Sequence, residues 1–218
     1  SDAKAKQDLE CHFVFALLWT FGGMLDSDGR DELDGLVHEL ARGLGLSKPP
    51  PSGRAFEVRY DPSGEGSWVE WESELGAVAA APSASSSAAL FVPTVPAVSL
   101  SFLVDTMVAG GHPVLVVGPP GSGKTTAARA ALRALAAKGA GSEWTTHQLT
   151  LHARVSVGDL QDRVEGKLTR LRAGVLGPTG GSKHAAFFVD DLHAPEPERY
   201  GARPPLELLR QWLDLGGA

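Results

Sequence analysis

Eight consecutive residues, 118–125, have the order of a phosphate-binding loop. They read Gly-Pro-Pro-Gly-Ser-Gly-Lys-Thr and match the pattern G-x-x-x-x-G-K-[S/T] at every fixed position. Glycines suit such a loop because the backbone must fold around a phosphate with positive φ angles and without side chains in the way. The residues predicted to bind the nucleotide here are Gly118, Pro119, Pro120, Gly121, Ser122, Gly123, Lys124, Thr125 and Thr126.

Two side chains of this loop have distinct expected roles. The Lys124 ammonium is expected to reach the β- and γ-phosphates of a nucleotide, and the Thr125 hydroxyl is expected to bind magnesium. Magnesium keeps most of its waters and takes few protein ligands, so a single hydroxyl from this loop is a plausible contribution to its coordination shell. The N-terminus of the following helix adds a partial positive charge that favours the anion.

A second acidic element lies further along the chain at Asp190 and Asp191, directly after the apolar run Phe187-Phe188-Val189. In nucleotide sites of this type, the first acid holds the magnesium shell and the second orients or deprotonates the attacking water. We therefore assign Asp190 to the metal and Asp191 to catalysis. The alternative is a solvated acidic strand end without a catalytic role.

Strands and helices alternate in roughly the last 130 residues, and these elements must position the candidate site residues. Such an alternation predicts an α/β fold with a parallel sheet and crossover helices. The continuous apolar run at 185–189 is typical of a strand buried on both faces. The predicted helices cover 95–109, 124–138, 157–173 and 205–215, and the predicted strands cover 112–117, 145–151 and 185–189.

The first 90 residues carry different patterns. Residues 8–46 predict two helices separated by a cap at Asp26, and the apolar stretch from Phe13 to Leu25 predicts a buried helix. The apolar stripes expected to face the core are Phe13, Leu17, Leu18, Phe21 and Leu25, followed by Leu33, Leu36, Val37, Leu40 and Leu44. Residues 54–72 alternate as a β-hairpin does, and the low-complexity run 76–89 predicts a flexible surface loop.

The composition excludes several classes of function. The net charge of -6, without a basic run, argues against a nucleic-acid surface. The apolar stretch of about 13 residues is too short to span a bilayer. Cys11 is the only cysteine, so no internal disulfide can form, which fits a reducing compartment such as the cytosol. The seven histidines have no metal-ligand spacing, so core or surface roles are favoured for them.

With both motifs in place, the chain resembles the dynein heavy chains, specifically the third AAA+ module of the motor ring. The resemblance is carried by 188–192 (Phe-Val-Asp-Asp-Leu), by 200–214 (Tyr-Gly-Ala-Arg-Pro-Pro-Leu-Glu-Leu-Leu-Arg-Gln-Trp-Leu-Asp) and by Gly216-Gly217. Upstream, Leu25-Asp-Ser-Asp-Gly-Arg30, Trp68-Val-Glu-Trp71 and Phe91-Val-Pro-Thr-Val95 are also similar. The acid pair and the Asp-Gly-Arg segment are more similar to axonemal than to cytoplasmic dyneins.

This resemblance implies a P-loop AAA+ large subdomain that is incomplete at its C-terminus. Residues 1–50 would be the helical lid of the preceding module or a connector, 51–90 the hairpin and flexible loop, and 91–218 the truncated core. Pro93 and Thr94 would lie near the adenine, and the cofactors would be ATP or ADP with Mg²⁺. Since the sequence lacks an initial Met and stops just after a helix, we expect a piece of a longer protein.

The resemblance also implies partners and a location. The partners would be neighbouring AAA+ modules, dynein intermediate and light chains, and microtubules through parts absent here, without nucleic acid or membrane. The location would be the cytoplasm and cytoskeleton, in the axoneme of a cilium or flagellum. By the AAA+ strand order, a further strand would insert between the phosphate-loop strand and the Asp190 strand, so the isolated 218 residues are expected to be inactive and poorly soluble.

Departures from the family pattern leave the reaction open. Asp191 stands where most AAA+ enzymes have Glu, which places the acid one methylene short and predicts slow or regulated hydrolysis. Arg203 stands where Gln is common, and His193-Ala194 replaces the usual Asn-Met. The expected function is an ATP- and magnesium-binding module of a microtubule motor. The alternatives are a module that binds nucleotide without turnover and an independent P-loop NTPase or kinase.

Overall fold

The computed structural model describes residues 2–46, 48–79, 93–137 and 143–215. The described chain forms two compact units, Ser1–Val98 and Ser99–Ala218. The helices are α1 (Asp2–Gly22), α2 (Ser27–Leu44), α3 (Trp71–Ala79), α4 (Val95–Ala109), α5 (Lys124–Ala137), α6 (Val157–Glu165) and α7 (Pro204–Leu215). The strands are β1 (Val58–Asp61), β2 (Ser67–Glu70), β3 (Trp144–Thr150), β4 (Thr169–Arg172), β5 (Val175–Gly177) and β6 (His184–Asp190).

The first unit begins with the two predicted helices, and the predicted cap lies between them. The Asp26 carboxylate accepts a hydrogen bond from the backbone N–H of Gly29 at 3.0 Å, which satisfies one of the free donors at the start of α2. Arg30 donates from Nε to the carbonyl of Gly22 at 3.0 Å and thereby closes the end of α1. In the described part of the chain, no helix is long and apolar enough to cross a membrane.

The predicted inward faces of these two helices are partly wrong. Phe13 and Phe21 are 65% and 64% exposed, whereas the residues of α1 that are buried are Cys11, Val14, Leu18 and Gly22. A Cβ on Gly22 would lie 2.2 Å from the Phe56 ring, so the close approach at this glycine selects the buried face. Because α1 is apolar on several sides, its pattern alone does not select one face.

The same correction applies to α2. Val37 is buried, but Leu36, Leu40 and Leu44 are 52%, 50% and 76% exposed. The helix instead turns Asp34 and Ala41 inward beside Val37. Asp34 is tolerated there because its carboxylate accepts hydrogen bonds from the backbone N–H groups of Gly53 and Ala55.

The predicted hairpin is confirmed as the antiparallel pair β1–β2, with Val58 opposite Glu70 and Asp61 opposite Ser67. Trp71 follows β2 directly and is fully buried, and its indole N–H donates to the carbonyl of Phe56 at 3.1 Å. Trp71 is therefore a packing residue at the end of this hairpin. Residues 76–79 of the predicted low-complexity loop belong to α3, and 80–92 lie outside the described residues.

The second unit contains the predicted parallel pairing. β3 pairs with β6 in parallel, from Trp144 opposite His184 to Thr150 opposite Asp190. α5 packs on these two strands, and an apolar cluster lies beneath α6 and α7. Its fully enclosed members are Leu149, Leu151, Val155 and Leu160. This parallel pair with flanking helices agrees with the α/β fold class.

The predicted strand at 112–117 is wrong for this structure. These residues form no strand, and Val114, Leu115 and Val117 are 40%, 71% and 81% exposed. A β-strand needs a neighbouring backbone for its N–H and C=O groups, and no described strand pairs with this segment. An apolar composition alone therefore does not make this segment a strand.

Two further predictions need correction. The predicted helix 157–173 ends at Glu165, and the antiparallel pair β4–β5 follows it. This hairpin forms because a turn with Gly174 at φ 72° joins the strands and Leu171 packs across Gly177.

The strand β6 is not buried on both faces. Of its side chains only Ala186 is fully buried, while the residues 187–190 are half-buried, since β3 is its sole described neighbour.

Candidate functional site

The predicted phosphate loop connects residue 117 to the first turn of α5. Gly121 and Gly123 have φ angles of 76° and 81°, conformations that side chains with a Cβ rarely adopt. The loop is exposed, and α5 begins at Lys124, so the free N–H groups of a helix N-terminus lie at its end. The local geometry therefore has the two features that an anion site requires, a glycine-permitted turn and a helix N-terminus.

Lys124 folds back over this loop. Its Nζ donates to the carbonyl oxygens of Gly118 and Pro119 at 2.8 and 2.6 Å and lies 3.3 Å from the Ser122 hydroxyl. All three acceptors are neutral. Charged phosphate oxygens form stronger hydrogen bonds with an ammonium than neutral oxygens do, so exchange of these partners for a phosphate is favourable.

The two predicted magnesium ligands lie side by side although 65 residues separate them. The Thr125 hydroxyl, in the first turn of α5, donates to Oδ1 of Asp190 at 3.2 Å. Asp190 is the last residue of β6, where its carbonyl also accepts from the N–H of Leu151 at 3.1 Å. The parallel pairing of β3 and β6 thus delivers Asp190 to the N-terminus of α5.

This pair of side chains fits a magnesium ion. Hydroxyl and carboxylate oxygens are the hard donors that Mg²⁺ prefers, and two protein ligands leave room for waters and phosphate oxygens. Among the described residues, no group of three or more His, Cys, Asp or Glu side chains could hold a metal.

Asp191 has an unusual backbone conformation. Its φ angle is 58°, and it is the one non-glycine residue with positive φ in the described part of the chain. Its N–H donates to Oδ1 of Asp190 at 3.1 Å, and its carbonyl accepts from the N–H of Ala194 at 2.9 Å. Its side chain is exposed beside the end of β6. Sequence reasoning predicted the carboxylate but missed this turn, for which the only local signal is the tolerance of Asp for left-handed backbone.

The remaining predicted site residues are placed as follows. Pro119, Pro120 and Thr126 are exposed in the loop and the first turn of α5. Thr94 lies at the start of α4, where its hydroxyl accepts from the N–H of Ala97 at 3.4 Å. Pro93 precedes it in the first unit, and the adenine-binding role of both residues stays a prediction.

Two contacts near the site were not anticipated. Arg129, one helical turn after Thr125, donates from Nε to the side-chain oxygen of Gln148 at 3.0 Å and so links α5 to β3. His147, the neighbour of Gln148 on β3, packs against Phe187 of β6 with ring centroids 5.0 Å apart and the ring planes tilted by 38°. Burial lowers the pKa of His147 below its usual value, with a smaller contribution from Lys167.

Comparison with known families gives two adjoining matches. Residues 79–218 match a family described as the P-loop containing dynein motor region. Residues 1–73 match a family described as the dynein heavy chain AAA lid domain. Together the two families account for nearly the whole chain, and their boundary falls close to the end of α3.

Similar proteins come from animals and from an alga. The chain is 34% identical to human dynein axonemal heavy chain 1 over 226 residues, which covers 96% of this chain and 5% of that protein. It is 32% identical to mouse dynein axonemal heavy chain 2 over 208 residues, covering 95% of this chain and 4% of the other. It is 34% identical over 208 residues to the dynein-1-beta heavy chain of the flagellar inner arm I1 complex from Chlamydomonas reinhardtii, with the same shares. The chain therefore spans about a twentieth of the length of these relatives.

Proposed function

This chain belongs to the dynein heavy-chain family, within its P-loop motor region, and from that premise we propose that it binds ATP with magnesium at residues 118–126, Asp190 and Asp191. The observation that carries the proposal is the contact between the Thr125 hydroxyl and Asp190 at 3.2 Å. Two motifs that were predicted separately meet there at the N-terminus of a helix. A coincidental glycine-rich turn would give no reason for a carboxylate to lie beside its threonine.

Each residue of the site has a role in binding. The N–H groups at the start of α5 donate hydrogen bonds to phosphate oxygens, and the Lys124 ammonium leaves its loop carbonyls for the β- and γ-phosphate oxygens. Thr125 and Asp190 hold the magnesium ion, which neutralises phosphate charge when it is bound. Asp191 lies next to Asp190 and is the candidate to orient or deprotonate the attacking water.

Hydrolysis is the proposed outcome, and nucleotide binding without turnover is the second candidate. The feature that favours the second is the Asp191 side chain, which is one methylene shorter than the Glu usual in AAA+ enzymes. Single-turnover hydrolysis by the intact heavy chain, compared between wild type and Asp191→Asn with this site isolated, separates the two. A rate that falls with Asp191→Asn supports hydrolysis at this site, and equal rates support the non-hydrolysing module.

The binding proposal is tested by Lys124→Ala in the full heavy chain. Loss of two charge-assisted hydrogen bonds to phosphate, at roughly 1.5–3 kcal/mol each, predicts an affinity loss of about 100-fold or more for a fluorescent ATP analogue. The matched control is Lys183→Ala, because Lys183 forms an ion pair with Glu143 at the opposite end of β3 and β6. Equal affinity of Lys124→Ala and wild type at this loop would show that the phosphate-loop assignment is wrong.

The wider setting is proposed from the family. The chain would act as a nucleotide-responsive module of a microtubule motor, with its lid region at about 1–50, the hairpin and loop at about 51–90 and the truncated P-loop core at 91–218. Its partners would be adjacent AAA+ modules of the same polypeptide and dynein intermediate and light chains, with microtubules bound elsewhere in the heavy chain. Its location would be the axoneme of a cilium or flagellum.

A further inference from the structure

We propose that Asp191 is a positioning residue whose left-handed backbone turn fixes the Asp190 carboxylate for metal binding, independently of the charge on Asp191. The inference rests on the proposed function, because it concerns how the magnesium ligand is held. It differs from the catalytic assignment in one respect: what matters here is the backbone of Asp191 and not its carboxylate.

The hydrogen bonds around Asp190 supply the first argument. The Asp191 N–H and the Thr125 hydroxyl both donate to Oδ1 of Asp190, at 3.1 and 3.2 Å. Two donors on one oxygen fix the orientation of the carboxylate plane. In the described structure no donor lies on Oδ2, so that oxygen is available to a cation. The carboxylate is thus held by its neighbours on one side and open on the other.

The turn explains why the Asp191 N–H is available for this task. The pairing of β3 with β6 ends at Asp190, whose carbonyl accepts from the N–H of Leu151. At Asp191 the chain turns at φ 58°, and the carbonyl of Asp191 accepts from the N–H of Ala194. Because the chain leaves the strand at this point, the Asp191 N–H is directed to the neighbouring carboxylate instead of to a strand partner.

Residue type limits which side chains can hold this turn. Gly adopts left-handed backbone freely, and Asn and Asp adopt it more readily than other residues because a short polar side chain can hydrogen-bond locally. Ala and especially β-branched residues are disfavoured there. A positioning role therefore predicts that Gly and Asn replace Asp191, whereas Ala and Val do not. A role of the carboxylate charge predicts that all four substitutions are equivalent.

The experiment uses the full heavy chain with Asp191→Asn, Asp191→Gly, Asp191→Ala and Asp191→Val. Affinity for a fluorescent ADP analogue is measured with saturating Mg²⁺ and with EDTA, and binding to the matching Lys124→Ala protein is subtracted to isolate this loop. We expect the magnesium-dependent gain in affinity to stay within about twofold of wild type for Asn and Gly. We expect this gain to fall about tenfold for Ala and Val. The free energy that these residues need to adopt left-handed backbone corresponds to about a tenfold change in a binding constant. Affinity in EDTA should not change.

A second readout needs no nucleotide. Amide hydrogen exchange of residues 191–194 in the nucleotide-free protein should stay slow for Asn and Gly and become faster for Ala and Val. Equal losses of magnesium-dependent affinity in all four variants, or no loss in Ala and Val, would overturn the inference. The proposed function fails if magnesium-dependent binding is the same in wild type and Lys124→Ala. In that case hydrogen exchange alone tests whether the turn at Asp191 depends on residue type.

Discussion

The first unit (Ser1–Val98) and the second unit (Ser99–Ala218), which holds the phosphate loop, differ in how buried polar groups are hydrogen-bonded and in which apolar residues are covered. In the first, Asp34 accepts from two backbone N–H groups, Trp71 is fully buried, and its indole N–H bonds to the carbonyl of Phe56. In the second, the segment 112–117 that leads into the loop forms no strand, and Leu115 and Val117 are 71% and 81% exposed. Each unit has a buried apolar core, but in the second an exposed apolar segment that forms no strand leads into the binding loop.

This difference indicates where each unit obtains its stability. Burial of an aromatic side chain with its polar atom paired contributes directly to folding. An exposed apolar segment contributes nothing until another strand or surface covers it. We propose that another strand of the heavy chain pairs with 112–117. On this proposal, the segment that leads into the binding loop is stabilised only when that strand covers it.

The largest expected effect is that of Trp71→Ala. Removal of a fully buried indole and its hydrogen bond should destabilise the first unit by about 3–5 kcal/mol. The matched change in the second unit is Leu115→Ala, which should alter the stability of the 218-residue chain by less than about 0.5 kcal/mol because the side chain is exposed. Urea unfolding of the two variants and wild type measures both values, and a sharp cooperative transition of the wild-type 218 residues would itself contradict their expected poor solubility.

The Leu115→Ala variant can also be compared between the 218-residue chain and the longer heavy-chain motor. If another strand covers this segment in the heavy-chain motor, the same substitution there should cost about 2–5 kcal/mol, as for other buried leucines. A small effect in both lengths would contradict the predicted strand. A large effect of Leu115→Ala in the 218-residue chain would show that this segment is already buried and that the two units do not differ as described.

A smaller effect is expected for Asp34→Ala. The substitution leaves the N–H groups of Gly53 and Ala55 without their carboxylate, at a cost of roughly 1–3 kcal/mol. The control is Asp31→Ala on the same helix, where the side chain is exposed and the expected change is within about 0.5 kcal/mol. Thermal unfolding is followed by tryptophan fluorescence, with Trp144 and Trp212 of the second unit replaced by Phe so that the signal comes from Trp19, Trp68 and Trp71 of this unit. Indistinguishable melting of the two variants would show that Asp34 does not stabilise the loop at 53–55.

The smallest expected effects are pH dependences of opposite direction in the two units. Burial raises the pKa of Tyr60 to about 12, and its hydroxyl donates to Asp8 at 2.7 Å. The stabilisation is fully present below pH 10, the usual pKa, and is lost as the pH rises towards 12. Tyr60→Phe should remove this alkaline loss of stability in the first unit, and an unchanged slope would contradict the assignment to Tyr60.

In the second unit, burial lowers the pKa of His147. The neutral ring is favoured in the folded state, so stability is present above the usual pKa of about 6.5 and declines as the pH falls below it. Replacement by Phe, which retains an aromatic partner for Phe187, should remove this acid dependence. Denaturation midpoints measured between pH 4 and 8 for wild type and His147→Phe give the comparison. An identical pH profile for both proteins would exclude His147 as the cause.

Part of this architecture was determined by the sequence itself. The loop at 118–125, the hairpin at 58–70 and the cap at Asp26 follow from residues that are close in the chain, whose glycines, alternation and capping side chain act over a few positions. The strands predicted at 145–151 and 185–189 also correspond to β3 and β6. In each case a local pattern carried the information.

Tertiary structure decided the rest. Only packing selected Val14 and Leu18 of α1 over Phe13 and Phe21, because several sides of that helix are apolar and the close approach at Gly22 favours one of them. Only strand pairing could decide whether 112–117 becomes a strand, since its hydrogen bonds must come from a distant part of the chain. Likewise, the meeting of Thr125 with Asp190 and the turn at Asp191 depend on where β6 ends against its neighbour, a property of the assembled sheet and not of any short segment.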